Sequence, residues 1–274
     1  MPHILLAALG LAAADPAPAP APAPAAAPMK AQWVSDWGED RCSLIRHTGG
    51  EAGATLMIRT VPGTTNAEFW FLDPNWEGKA LRSYSEVEFR LEPTPTVVTS
   101  RSFSVTVNGS KGLAVTAMSA DFFRDLPQAK KIVIRQKERP IAEVPVPGTA
   151  KAVAVLRDCE STVLKDMGLD PQVMASLNRR VTPEKPLASY FGFNDYPDLA
   201  IRKGEAGTVL ARITIGATGA IEGCTVIETS RSDLLDRTTC SVIMKRVRYK
   251  PALAADGTAV RALDAIRIWW SLPQ

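Results

Sequence analysis

The chain has 274 residues, a formal net charge of +3, 46% hydrophobic and 22% charged residues. This is globular composition with room for two modest domains, and the near-balanced charge excludes a strongly basic nucleic-acid surface. Two histidines and four cysteines, none in a Cys-x-x-Cys pair, exclude the common zinc sites, so neither metal nor cofactor is expected.

Residues 1–14 read as a secretory signal. Ile4–Ala14 is an apolar run of eleven residues. As a helix it spans about 16 Å, against a hydrocarbon core of about 30 Å. Ala12-Ala13-Ala14 supplies small residues for cleavage. Residues 15–30 are nearly pure proline and alanine. Proline removes amide donors and fixes φ, so this stretch is expected as a polyproline-like spacer. A chain cleaved near Asp15 is expected to be a soluble exported species. Export and an even cysteine count predict two disulfides. Cys224 and Cys240 share the C-terminal module, which leaves Cys42 for Cys159.

Residues 31–168 form a β-rich domain in this reading. Phe103, Val105 and Val107 alternate onto one face, and Asn108-Gly109 is a strong hairpin signal. Short alternating runs punctuated by Gly, Pro and Asn predict an antiparallel sandwich or barrel. Ser119–Leu126 reads as a short helix capped by Ser119. Thr149–Met167 is amphipathic, with Ala152, Leu156, Cys159, Val163 and Met167 on one stripe. Thr149 is the expected cap and Gly168 the expected stop. This helix closes the domain.

Residues 169–189 are polar, carry Pro171, Pro183 and Pro186 and lack periodicity, so they read as a linker. The module at 190–274 opens with a helical turn at Leu199–Arg202. A strand at Thr208–Ile215, a turn at Ala217-Thr218-Gly219 and a partner strand at Gly223–Thr229 follow. Ser232 caps a helix to about Arg248, and Ala259–Leu272 is a third strand. The fold class is therefore α+β: a mainly antiparallel β-domain closed by a helix, then a small β-β-α-β domain.

No catalytic constellation emerges, and the protein is not expected to be an enzyme. His47 ends a strand-like run, and Asp36, Glu39 and Asp40 read as a solvated acidic face. Trp33, Trp37, Trp70 and Trp76 read as core and rim packing of the β-domain. Trp269 and Trp270 are strand neighbours, so one faces the helix and the other points away.

Tyr196-Pro197, Ala200, Gly204-Glu205-Ala206-Gly207-Thr208-Val209, the Gly219 turn, Leu235-Asp236, Arg246–Ala252 and the final alternating strand occur in that order. Together they make the last 85 or so residues resemble the C-terminal domain of TonB-family energy transducers. The resemblance implies a periplasmic module that grips an outer-membrane receptor or another envelope protein by adding a strand of it beside the last β-strand. Inner-membrane motor proteins are the further partners implied. The expected binding residues are Tyr196, Pro197, Arg261, Leu263, Ala265, Arg267 and Trp269, with neither nucleic acid nor a small-molecule substrate. A motor-coupled transducer with an upstream anchor and an envelope structural or peptidoglycan-associated protein are the alternatives.

Overall fold

A computed structural model describes residues 32–49, 53–76 and 85–272. The expected signal and Pro-Ala spacer lie outside the described residues. The fold is α+β. Nine antiparallel strands build the first domain: β1 (Trp33–Trp37), β2 (Cys42–His47), β3 (Thr55–Thr60), β4 (Ala67–Asp73), β5 (Ser85–Glu92), β6 (Val97–Val107), β7 (Ser110–Val115), β8 (Lys131–Gln136) and β9 (Arg139–Pro145). Their spatial order is β1-β2-β3-β4-β7-β6-β5-β8-β9. The predicted antiparallel architecture is built from one continuous sheet that curls on itself, and β6 is long enough to serve two partners. Its first half pairs with β5 and its second half with β7. The two ends of the strand order are tied by side chains: Trp33 Nε1 donates to Pro147 O at 2.9 Å, and Arg46 Nε to Pro145 O at 3.1 Å.

The long β6 also explains a difference in register. Its buried side chains are Val98, Ser100 and Ser102, whereas Val107 of the alternating run is exposed. The Asn108-Gly109 turn forms as expected, with φ of 47° and 81°. Helix α1 (Ala120–Asp125) starts from a Ser119 cap and buries Phe122. Phe122 meets Phe69 and Phe89 edge-on, at centroid distances of 5.6 and 6.1 Å. Helix α2 (Thr149–Asp166) buries the predicted stripe of Ala152, Leu156, Cys159 and Val163. Thr149 is not its cap. Gly148 takes that position at φ 75°, and the Thr149 hydroxyl donates to Ala129 O at 2.7 Å. A disulfide joins Cys42 on β2 to Cys159 on α2.

The stretch expected as a bare linker is structured. It holds α3 (Pro171–Ala175) and β10 (Thr182–Pro183), whose partner lies far ahead at β13 (Tyr249–Lys250). Leu169 and Met174 are buried against Leu164, Ala252 and Leu263. These apolar residues are spaced for tertiary contacts and not along one face, so no periodicity betrays them.

The C-terminal module continues with α4 (Asp198–Arg202), β11 (Gly207–Ile215), β12 (Ile221–Glu228) and α5 (Asp233–Arg246). After β13 come β14 (Ala252–Leu253), β15 (Ala259–Val260) and β16 (Ala262–Trp270). The main sheet is antiparallel in the order β12-β11-β16. Ser232 accepts from Leu235 N and caps α5, an interaction of about 1 kcal/mol. Gly219 is required twice: its φ is 83°, and a Cβ there would stand 2.1 Å from Tyr249 O. A second disulfide links Cys224 on β12 to Cys240 on α5.

Helix α5 covers one face of this sheet, and the β-domain meets the other. At the contact, Gly63 has φ 76°, and a Cβ on it would lie 2.9 Å from Leu164 and 3.3 Å from Leu263. Around this apolar point runs a charged network. Arg267 on β16 pairs with Glu68 on β4 and, at 2.8 Å, with Glu228 on β12. Arg41 also reaches Glu228, at 3.3 Å, and Arg212 on β11 pairs with Asp40. Asp40 therefore leaves the solvated acidic face expected from the sequence and joins the two domains.

Candidate partner-binding edge

Strand β16 pairs with β11 along its whole length and has no strand on its other side among the described residues. The direction of its backbone groups follows from the hairpin at the far end of β11. Gly216 N donates to Ala220 O, on the β12 side. Backbone direction alternates along a strand. Leu210, Arg212 and Thr214 therefore point to β12, and Val209, Ala211 and Ile213 to β16. Their partners on β16 are Ile268, Ile266 and Asp264. The groups of Leu263, Ala265, Arg267 and Trp269 consequently point outward, away from the sheet.

These four positions are not equivalent. Leu263 is buried against Leu164 and Leu169. Ala265 N donates to Asp264 Oδ1 at 2.9 Å, so the strand's own side chain occupies this outward amide. The other carboxylate oxygen of Asp264 accepts from Tyr249 Oη at 2.9 Å. Burial pushes the Asp264 carboxyl above its ordinary range, and the two donors recover only part of that shift. Burial likewise pushes the Tyr249 hydroxyl up, with the Asp264 carboxylate adding to it. An inward-turned carboxylate is one way in which proteins blunt an open edge. The Arg267 side chain is 11% exposed and committed to Glu68 and Glu228. Burial pushes the Glu228 carboxyl up, but Arg267, Arg41 and Arg59 outweigh it and hold that group below its usual range. Of the outward positions, Arg267 and Trp269 are left with backbone groups that have no partner among the described residues.

Beside it lies an apolar groove of about 320 Å³, lined by Phe191, Phe193, Tyr196, Trp269, Trp270 and Leu272. Phe193, Trp269 and Leu272 are 75%, 59% and 40% exposed. Trp270 points the other way, into the core, where its Nε1 donates to Thr239 Oγ1 at 2.9 Å. Tyr196 and Phe191 pack edge-on against Trp270, at 5.3 and 6.1 Å. Tyr196 is fixed by a bond to Glu205 O, so it builds the groove wall. Pro197 stands at the start of α4 and does not line the groove. Arg261 is exposed and pairs with Glu222 across the sheet at 2.8 Å. The sequence reading missed Phe193, Leu272 and Asp264. The run Tyr190–Phe193, with three aromatic residues among four, was the available signal for Phe193.

Residues 194–272 match the family model of the Gram-negative bacterial TonB protein C-terminal. This stretch is a TonB C-terminal domain. The match covers the β12-β11-β16 sheet and α5 and none of the β-domain. No curated protein matches the chain. TonB-family proteins are envelope-associated, and this domain type is a non-catalytic energy-transduction and protein-interaction module that serves TonB-dependent envelope transport. Its family interacts generally with outer-membrane receptors. Among the described residues, no helix is long and apolar enough to cross a membrane.

Proposed function

We propose that this chain is a non-enzymatic periplasmic protein whose TonB C-terminal domain captures an extended segment of an outer-membrane receptor or another envelope protein. The captured segment adds to the sheet beside β16, as strands do at open sheet edges. Its backbone pairs with the outward groups of Arg267 and Trp269, and an apolar side chain of the partner enters the groove of Phe193, Trp269 and Leu272. The observation that carries the reading is the coincidence of an unpaired strand end with three exposed apolar side chains. A buried aromatic anchor next to a short stretch of main-chain pairing is a common division of labour between affinity and specificity.

The test is photocrosslinking in the native envelope. Benzoylphenylalanine replaces Trp269 in one variant and Met244, exposed on α5, in another. The expected outcome is one set of envelope proteins attached through position 269 and not through 244, with the attached peptide lying in an extended periplasmic segment. Equal labelling from both positions would refute edge capture.

A further inference from the structure

The β-domain contains a cleft of about 760 Å³ that shares no residue with the strand edge. It opens between the turn joining β3 to β4, helices α1 and α2, and the chain beyond α3. Its volume lies in the range of small-molecule sites, about 300–1,000 Å³. Met118, Phe123 and Leu156 give it an apolar wall, and Arg157, Glu160 and Arg180 give it a charged one.

Two features mark it as unfinished. Thr60 lines the cleft and is 8% exposed, yet its Oγ1 completes no hydrogen bond of good geometry among the described residues, although it faces the Glu160 carboxyl. A buried hydroxyl whose one partner is badly aligned keeps capacity for a water or a ligand. Second, the arginines are unevenly paired. At the mouth Arg124 pairs with both Asp121 and Asp125, a trio that is itself net negative. Arg157 forms neither an ion pair nor a hydrogen bond among the described residues, and Arg180 donates only to Gly63 O, at 3.2 Å. Glu160 offsets one of these two cations. Burial pushes its carboxyl above the ordinary range, against the pull of Thr60, Arg157 and Arg180. Inside the cleft, away from the acidic mouth, the two exposed guanidiniums outnumber the one carboxyl.

We propose that this cleft binds a ligand with an apolar body and a single carboxylate, with the carboxylate held by Arg157 and Arg180 and the apolar body against Met118, Phe123 and Leu156. Guanidinium groups are suited to the planar carboxylate fork. The chemistry is that of a peptide's free C-terminal residue or of a free organic acid, and the probes separate the two.

Binding to the full chain is measured by titration calorimetry with 4-phenylbutanoate and its amide, and with acetyl-Leu-Phe as the free acid and as the amide. The acid is expected to bind about tenfold tighter than its amide, the effect of one charged hydrogen-bonded contact. If the preference appears in both pairs, free organic acids fit. If it appears in the dipeptide pair alone, the ligand is a chain end. Arg157→Met with Arg180→Met is expected to abolish the preference. Glu160→Gln is expected to strengthen acid binding, because it removes the one carboxyl among the cleft's lining residues. A misfolded variant cannot produce that gain. Equal binding of acid and amide in both pairs, a preference that survives the double variant, or weaker acid binding in Glu160→Gln would each overturn the proposal.

Discussion

At Asp264 a single carboxylate does two things: it occupies the outward amide of Ala265 and anchors the Tyr249 hydroxyl. Its folded-state pKa is raised, chiefly by burial. Stability linked to this group is therefore complete below the ordinary carboxylate range and is lost as pH rises through the raised folded value. Asparagine has nearly the same shape and does not titrate. The urea stability of the native protein minus that of Asp264→Asn should therefore be greatest near pH 4 and shrink steadily toward pH 8. Taking the difference cancels the other titrating groups. A difference that grows with pH would show that the carboxylate is better accommodated charged than this site allows. Ala265 was expected from the sequence to be an ordinary binding position. Its amide is already engaged, because the neighbouring aspartate turns back on it, and no periodic pattern reports such a local bond.

The elements that could be read from the sequence are those whose signal is local. Ser232 before α5, Asn108-Gly109 before β7 and the buried stripe of α2 each declare themselves within a few residues. Pairings between distant segments do not. The β10–β13 pair joins Thr182 to Lys250, and nothing near either residue announces the other. The role of Arg267 was hidden for the same reason. An alternating strand identifies it as lying on the face away from α5, but its partner Glu68 is separated from it by most of the chain. The disulfides are an exception, because cysteine count and domain placement limited the choices. They also give an element-scale test. Cys224–Cys240 closes a sequence separation of 16, and Cys42–Cys159 one of 117. In the chain-entropy model, removing them costs about 3 and about 5 kcal/mol respectively. Paired serine variants, compared by urea unfolding, should follow that order. The Cys42/Cys159 variant should also lose protection of the α2 amides, because its bridge holds that helix to β2. A smaller loss from the longer loop would show that native strain or residual unfolded structure, and not loop entropy, governs these bridges.

At the scale of the molecule, the β-domain lies against the very face of the TonB domain that carries the side chains of Leu263, Arg267 and Glu228. Glu68 and Arg267 have side chains only 3% and 11% exposed, so this is a buried ion pair at a domain contact. Charges taken out of water are costly unless matched, and removing one partner of such a pair costs about 3–5 kcal/mol. Each domain is thus held in place by groups that the other neutralises. Separating the two would expose Leu263 and Leu164 while returning both charges to water, where each is easily solvated. The apolar contact therefore resists separation, and the charges fix its register. The native protein should accordingly unfold in one calorimetric transition that includes both domains. Arg267→Met leaves Glu68 buried beside Arg59 at 3.8 Å, without its closer cation. It should lower the melting temperature and resolve the transition into two, because the link fails before either core does. Replacing Glu68 by Leu in the same chain removes the stranded charge and should restore much of the lost stability, an interaction energy that a double-mutant cycle measures directly. Two separate transitions in the native protein would mean that the domains meet without coupling. The TonB domain would then be free to turn its β16 edge independently of the β-domain.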